Sequence, residues 1–372
     1  MDASVVIPPY VAGPFRLEPF AALRLDPARI GDPATARLYA RPYRGVAARL
    51  RAWQDQGHLV HDASAALYVH EYSDSGLTVA GVVGALDITR RTQQPLEAAV
   101  LPHEGVHPAQ VRELANRMAQ MQLNPAPILL VQDYPEVARR LVTAVRAEQP
   151  DHAFIDRGGQ GHRIWAIRDR DLIDELNEAW SSSRSLLADG HHRYAAYLRV
   201  QSSAPGGPAD LGLAMVVDQG ATPLHLGAIH RTLTRVSLAD LRTAADRLGL
   251  TWRSAPHGEA VAALGAATMV LTDGTEWASL NLRAAPDQAA ADFLHRDLLP
   301  ALPRSPSRIR YHHSVEEALH HVRQSHDTAV LLPAPTTEHV WRSVLAGRLL
   351  PEKTTSFQPK PSPGVLIRSL RA

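Results

Sequence analysis

The 372-residue sequence contains no cysteine. That absence excludes disulfides, cysteine-ligated zinc, iron–sulfur clusters and thiol nucleophiles together, and it fits a reducing compartment. No apolar run reaches the roughly eighteen residues of a membrane-spanning helix. The opening segment, Met1 to Pro9, has neither a basic stretch nor a long apolar one and does not read as a signal peptide. No charge of one sign dominates: the formal net charge is +1, and no block of Lys or Arg stands out. A large electrostatic footprint for nucleic acid is therefore not expected. The expectation is a soluble, cytoplasmic protein with a small-molecule substrate, no nucleic-acid partner and no membrane, and with a homodimer left open.

What is present supports a packed core. Apolar residues make up 45% of the chain, and its length suits one large or two ordinary domains. Strand-like and helix-like runs alternate, which predicts an α/β (α+β) fold. Residues 1–45, rich in proline and short apolar runs, read as loops and edge segments. Hairpins are expected at 66–84 around Ser73-Asp74-Ser75-Gly76, at 153–167 around Gly158-Gly159-Gln160-Gly161, and at 269–282 around Asp273-Gly274. Helices are expected at 46–54, 109–121, 135–148, 171–180 and 193–200, with two more opened by Ser237 and Ser314 and a last one ending near Gly347. Short buried strands are expected at 128–131, 185–188, 211–217 and 329–332. The glycines at 158–161 are not a dinucleotide fingerprint, because their spacing is wrong and no helix follows. A three-part organisation is read: 1–236 as an N-terminal region with the phosphate-binding core, 237–285 as an α+β insertion, and 286–372 returning to the core.

One turn concentrates chemistry: Asp189-Gly190-His191-His192-Arg193, between a strand and a helix. Gly190 lets the backbone bend or approach a ligand closely. The first amides of a helix lack internal partners, and the helix dipole adds partial positive charge there. Arg193 adds a permanent forked cation, and His191 and His192 add donors that can charge. Together these suit phosphate or carboxylate. A capped helix start, with Asp189 as N-cap and Arg193 in a surface pair, accounts for the same residues.

The run Gly190-His191-His192-Arg193-Tyr194-Ala195-Ala196-Tyr197 resembles the Gly-Cys-His-Arg signature of sulfiredoxin and the related box of ParB-type nucleotide-binding proteins. His191 stands where sulfiredoxin has its cysteine, so sulfiredoxin chemistry is excluded. A fuller resemblance is spread from end to end. Leu17-Glu18-Pro19-Phe20, Pro102-His103-Glu104, His162-Arg163-Ile164-Trp165, Ala188 to Tyr194, Ile229-His230-Arg231 and Pro351 to Lys360 occur in the order of the bacterial domain-of-unknown-function 1015 family (DUF1015), in its actinobacterial form. The resemblance implies a ParB/sulfiredoxin-like core related to free serine kinases. It implies a small-molecule phosphotransferase acting on L-serine or a similar hydroxy compound, with pyrophosphate or a nucleotide as donor and Mg²⁺ as cofactor. A non-catalytic protein that senses a nucleotide or phosphometabolite is the rival reading. It is favoured by one departure: the family's early Pro-Pro-Tyr-Asp stands here as Arg41-Pro42-Tyr43-Arg44, with Arg44 in the acidic place.

Phosphoryl transfer needs a phosphate cradle, cations and a proton acceptor. The resemblance assigns Gly190, His191, His192, Arg193, His230, Arg231, Lys353, Thr354, Thr355 and Lys360 to phosphate. It makes Glu104, Asp189 and His192 the catalytic candidates, with Glu104 or Asp189 as proton acceptor or Mg²⁺ partner. His103 falls on the substrate side, and no residue is assigned as a dedicated metal ligand. The His103-Glu104-Gly105-Val106-His107 run fits the zincin pattern, but that chemistry needs both histidines on one helix face. Pro102, Gly105 and Pro108 argue against such a helix. The pairs His312-His313 and His320-His321 read as surface residues.

Overall fold

The computed structural model describes residues 5–32, 46–282 and 288–371. The fold is mixed α/β, as expected. The chain divides into two compact units: one runs to Leu224 and resumes at Pro359, and the other is 225–358. The early motif Arg41-Pro42-Tyr43-Arg44 lies outside the described residues.

The larger unit is built on a long mixed sheet. At its centre Ile128–Gln132 pairs in parallel with Leu211–Asp218 and antiparallel with Ser185–Asp189. Ser185–Asp189 in turn pairs in parallel with Ala98–Pro102. These strands are buried almost throughout, because helices cover the sheet. The hairpin Leu67–Asp74 with Leu77–Asp87 extends one side. Its two turn residues, Ser75 and Gly76, both have positive φ (51° and 81°), as a tight hairpin with the right twist requires. Gly81 sits where that hairpin meets Leu211–Asp218; a Cβ there would lie 2.4 Å from the Val216 carbonyl oxygen, so only glycine allows the approach. The second hairpin, His152–Ile155 with Gly161–Ile167, pairs onto Leu67–Asp74.

Two helices set the position of the site. Pro108–Met121 turns Val111, Ala115 and Met118 inward at helical spacing, and it packs on His191–Ser203. The second helix is pinned by two tyrosine hydroxyls: Tyr194 donates to the Pro9 carbonyl at 2.7 Å and Tyr197 to the Ala126 carbonyl at 2.8 Å. Elsewhere Trp180, fully buried, meets Phe15 and Tyr134 edge-on at 6.4 and 5.3 Å. A four-stranded sheet joins Leu59–His61, Ala22–Leu25, Ile367–Ser369 and Leu123–Asn124.

The smaller unit carries a six-stranded antiparallel sheet. Its order is Thr251–Ser254, Trp277–Asn281, Thr268–Thr272, Thr328–Leu331, His230–Thr234 and Arg308–His312. The elements between Ser237 and Leu282 therefore share one sheet with strands on both sides of them in sequence. Helix Leu238–Arg247 opens on a full capping box, with Ser237 and Asp240 each satisfying the other's backbone amide, a device worth about 1 kcal/mol. Buried Leu238, Leu241, Ala244 and Ala245 face the core of this unit.

Candidate functional site

The strand Ser185–Asp189 ends at the expected turn, and the helix that follows begins at His191, two residues earlier than expected. Gly190, not Asp189, holds the N-cap position, with φ 94°. That left-handed backbone disfavours any residue with a Cβ. Here a Cβ would also stand 3.1 Å from Nε and Nη2 of Arg193, because the guanidinium folds back over the turn. Asp189 is thereby released from capping. Its Oδ2 accepts from Arg193 Nη2 at 2.8 Å, and its Oδ1 accepts from Lys360 Nζ at 2.5 Å. One carboxylate thus gathers two cations, one from the next helical turn and one from a remote segment. All three side chains remain partly exposed.

The two histidines of the turn reach the segment 103–107. The His103 amide donates to His191 Nε2 at 3.3 Å, and the His107 amide donates to His192 Nε2 at 3.1 Å. The rings follow suit: His103 meets His191 edge-on at 4.5 Å, and His107 stacks with His192 at 6.0 Å. Each ring thus turns its Nε2 toward a backbone amide of the segment 103–107.

Segment 103–107 is not helical. Val106 pairs with Val6 in an isolated bridge, and the helix starts only at Pro108. His103 and His107 therefore share no helix face, and each faces its own partner in the turn. His103 is fully buried, and burial pushes its pKa down to about 3; a hydrogen bond with the Leu187 backbone and the Asp189 charge work the other way. Its Nε2 lies 3.9 Å from Glu104 Oε1, so Glu104 stands beside a neutral imidazole, with its own side chain slightly exposed. Among the described residues, no group of three or more His, Asp and Glu side chains is placed to hold a metal ion.

The other sequence-derived candidates lie in the smaller unit. Arg231 is completely buried; it donates to the carbonyls of Ile229 and of Lys353, the latter at 2.9 Å, and stacks 5.2 Å from the Tyr311 ring. It shapes the turn that carries Lys353. His230 accepts from the Leu332 amide at 3.1 Å, and burial, aided by the Arg231 charge, pushes its pKa down to about 4. Lys353 is exposed with φ 58°, a left-handed backbone unusual for lysine. Thr354 is buried and donates to the Pro351 carbonyl at 2.6 Å, and Thr355 is half-buried.

The surface assignment of the paired histidines is corrected in part. His312 and His321 are half-buried, with rings 5.3 Å apart. His321 Nε2 lies 3.0 Å from Asp327 Oδ2, and His312 Nε2 lies 3.1 Å from Thr232 Oγ1. A strand and a helix bring them together, which adjacency along the chain cannot reveal.

One signal in the sequence bears directly on the site. Of 39 Lys and Arg residues only two are lysine, Lys353 and Lys360. A chain that uses arginine everywhere else keeps an ammonium at these two positions. The two groups differ in kind, since a compact, strongly hydrated point charge is not a planar fork.

Comparison with known proteins bears out the family that the motifs suggest. Among curated proteins none matches the sequence. Among solved structures, a free serine kinase in complex with AMP is similar at 16% identity over 73% of this chain and 89% of that one, with TM-score 0.42. A conserved hypothetical protein from Pyrococcus furiosus is similar at 14% identity over 73% and 92%, with TM-score 0.39. SbnI with C-terminal truncation, from Staphylococcus aureus, is similar at 12% identity over 73% and 84%, with TM-score 0.42. Similarity of this degree speaks to neither substrate nor site residues. The family model for DUF1015, described as a protein of unknown function, matches residues 15–302, and the chain belongs to that family.

Proposed function

We propose that the turn at Gly190, with Arg193 and Lys360, binds the phosphate groups of a small-molecule donor, pyrophosphate or a nucleotide. On this reading the protein transfers a phosphoryl group to the hydroxyl of L-serine or a similar small compound. The observation that carries the reading is the convergence of Arg193 and Lys360 on the single carboxylate of Asp189, beside a helix start. Phosphoryl transfer depends mainly on positioning and charge neutralisation. Asp189 holds both cations through its two carboxylate oxygens, so both are at hand for one phosphate group. An arriving phosphate exchanges with Asp189 for these donors, and the helix dipole adds to the attraction.

Glu104 is the proposed proton acceptor. The neutral His103 beside it does not compete for the proton at ordinary pH. In the reaction the acceptor hydroxyl oxygen bonds to the terminal phosphorus while the bridging P–O bond breaks. The leaving phosphate or nucleotide keeps the electron pair, and the hydroxyl proton passes to Glu104. His192 holds the His107 end of the segment, and His191 holds the His103 end, so the turn and the proton acceptor form one piece. Mg²⁺ suits such a site, because it takes one or two carboxylates together with substrate phosphates and keeps several waters. Asp189 or Glu104 would be its carboxylate, and the ion would supply neutralisation of charge on the donor.

Arg44, in place of the family's acidic residue, supports the alternative of a non-catalytic phosphometabolite sensor. Phosphorus NMR with Mg²⁺, L-serine and either pyrophosphate or ATP separates the two. A new phosphomonoester signal is the expected result. Broadened donor signals without product across small hydroxy compounds would favour the sensor, and no change at all would remove the phosphate site.

A further inference from the structure

Lys360 is carried to Asp189 by a short segment, Pro359 to Ser362, that is held on both sides of the lysine. The Tyr72 hydroxyl donates to the Pro359 carbonyl at 2.8 Å. Gln160 Nε2 donates to the Lys360 carbonyl at 3.0 Å, and the Ser362 amide donates to Gln160 Oε1 at 2.9 Å. One side-chain amide thus meets the backbone as a neighbouring strand would. The Ser362 hydroxyl donates to Asp156 Oδ2 at 2.6 Å. The same oxygen lies 3.2 Å from His162 Nε2, and His162 Nδ1 lies 3.0 Å from His70 Nε2. Asp156 also accepts from the Gln160 amide at 2.9 Å, which fixes the turn that presents Gln160.

Tyr72, Gln160, Asp156, His162 and His70 are all buried. Burying this many polar groups is unfavourable unless each is satisfied. Pro359 to Ser362 supplies four of the partner atoms, all from backbone or from Ser362 and none from the Lys360 side chain. The grip is on the backbone, and the ammonium is left partly exposed at Asp189. A long, rotamer-rich lysine loses less freedom on binding when its backbone is already fixed. The rarity of lysine in this chain marks the group being placed.

We propose that Tyr72, Gln160 and Asp156 are positioning residues for Lys360, fixing its backbone so that the ammonium, held at Asp189, passes to a phosphate dianion bound at the Gly190 turn. The inference rests on the phosphate-site reading for its ligand, and on geometry alone for the placement of Lys360.

Two lysines make a direct test practical. Reductive ¹³C-methylation keeps the charge and gives separate NMR signals for Lys353 and Lys360, assigned by loss of one signal in Lys360→Arg. Tyr72→Phe removes one hydrogen bond and keeps the ring; Gln160→Ala removes two. Folding is checked by thermal melts, and Tyr72→Phe stands in if Gln160→Ala unfolds. The expected result is a Lys360 signal that sharpens and moves toward a solvent-exposed position in both variants. Pyrophosphate affinity by calorimetry should fall about tenfold, with no further loss when either variant is combined with Lys360→Ala. An unchanged Lys360 signal in folded variants, or losses that simply add to that of Lys360→Ala, would overturn the proposal. If the wild type binds no pyrophosphate, the phosphate-site reading fails, while the Lys360 signal still decides the positioning.

Discussion

Lys360 and Asp189 lie 171 residues apart in sequence and 2.5 Å apart in the fold. Arg193, on the first turn of the following helix, shares the same carboxylate. Replacing Asp189 therefore alters two cations at once. Asp189→Asn is expected to tighten pyrophosphate binding a few-fold, since the competing carboxylate is gone, and to slow any transfer reaction. Calorimetry with the folded variant measures this. Weaker binding would mean that Asp189 organises the cations more than it competes with the ligand.

Arg193→Ala and Lys360→Ala should each weaken phosphate binding at least tenfold with little change in melting temperature, because both side chains are partly exposed. Charge-assisted bonds of this kind contribute about 1.5–3 kcal/mol. Lys360→Arg should restore only part of the affinity. Wild-type affinity in all three would remove both residues from the site.

Gly190→Ala places a side chain at φ 94° and 3.1 Å from the Arg193 guanidinium. The backbone cost is about 1–2 kcal/mol. The Arg193 guanidinium must also shift by a few tenths of an ångström, so phosphate affinity should fall by more than the stability loss alone produces. Urea melts beside ligand titrations separate the two effects.

His103 gives a pH prediction. Folded, it is held neutral with a pKa near 3; unfolded, the ring titrates near about 6.5. Between those values the unfolded chain binds a proton that the folded chain does not. Its stability contribution is complete above about pH 6.5 and is lost progressively as pH falls toward 3. The slope is about 1.4 kcal/mol per pH unit for one such ring. His103→Gln should make the stability curve shallower over pH 4–6 by up to this amount. An unaltered slope would mean that His103 is not held neutral.

Lys353 has φ 58°, where glycine is at ease and lysine is not. Lys353→Gly should raise stability by about 0.5–1 kcal/mol, read by urea melts, and a fall in stability would mean that the left-handed backbone costs lysine little here. A strained residue that is replaced without loss of stability or of phosphate chemistry has no demonstrable role. Loss of activity in a stable variant would assign it one.

Local signals in the sequence were dependable where one short stretch contains the whole physical cause. Ser75-Gly76 encodes its own turn, Ser237 and Asp240 cap each other, and Gly190 announces a bend before a helix. The strand Ala98–Pro102 was not legible, because five apolar residues have no period to read and flanking prolines suggest a loop. The site itself was half legible. Its residue types stood in one turn, but the roles of His191 and His192 depend on backbone amides nearly ninety positions away. Tyr72, Gln160 and Asp156 carried no motif at all; only the scarcity of lysine pointed toward what they hold.

The larger unit is made of two stretches of chain with the smaller unit between them. The strand Ile367–Ser369, paired between Ala22–Leu25 and Leu123–Asn124, closes it. During synthesis the ribosome must complete the whole of 225–358 before Lys360 exists. Until then the large sheet waits with one small sheet unclosed and Asp189 beside Arg193 alone. Contacts of such long sequence separation form late and slowly. The smaller unit, whose sheet draws only on its own residues, has every local contact it needs while its neighbour is still unfinished. The Asp189–Lys360 pair and the small sheet closed by Ile367–Ser369 can therefore form only after 225–358 has been made.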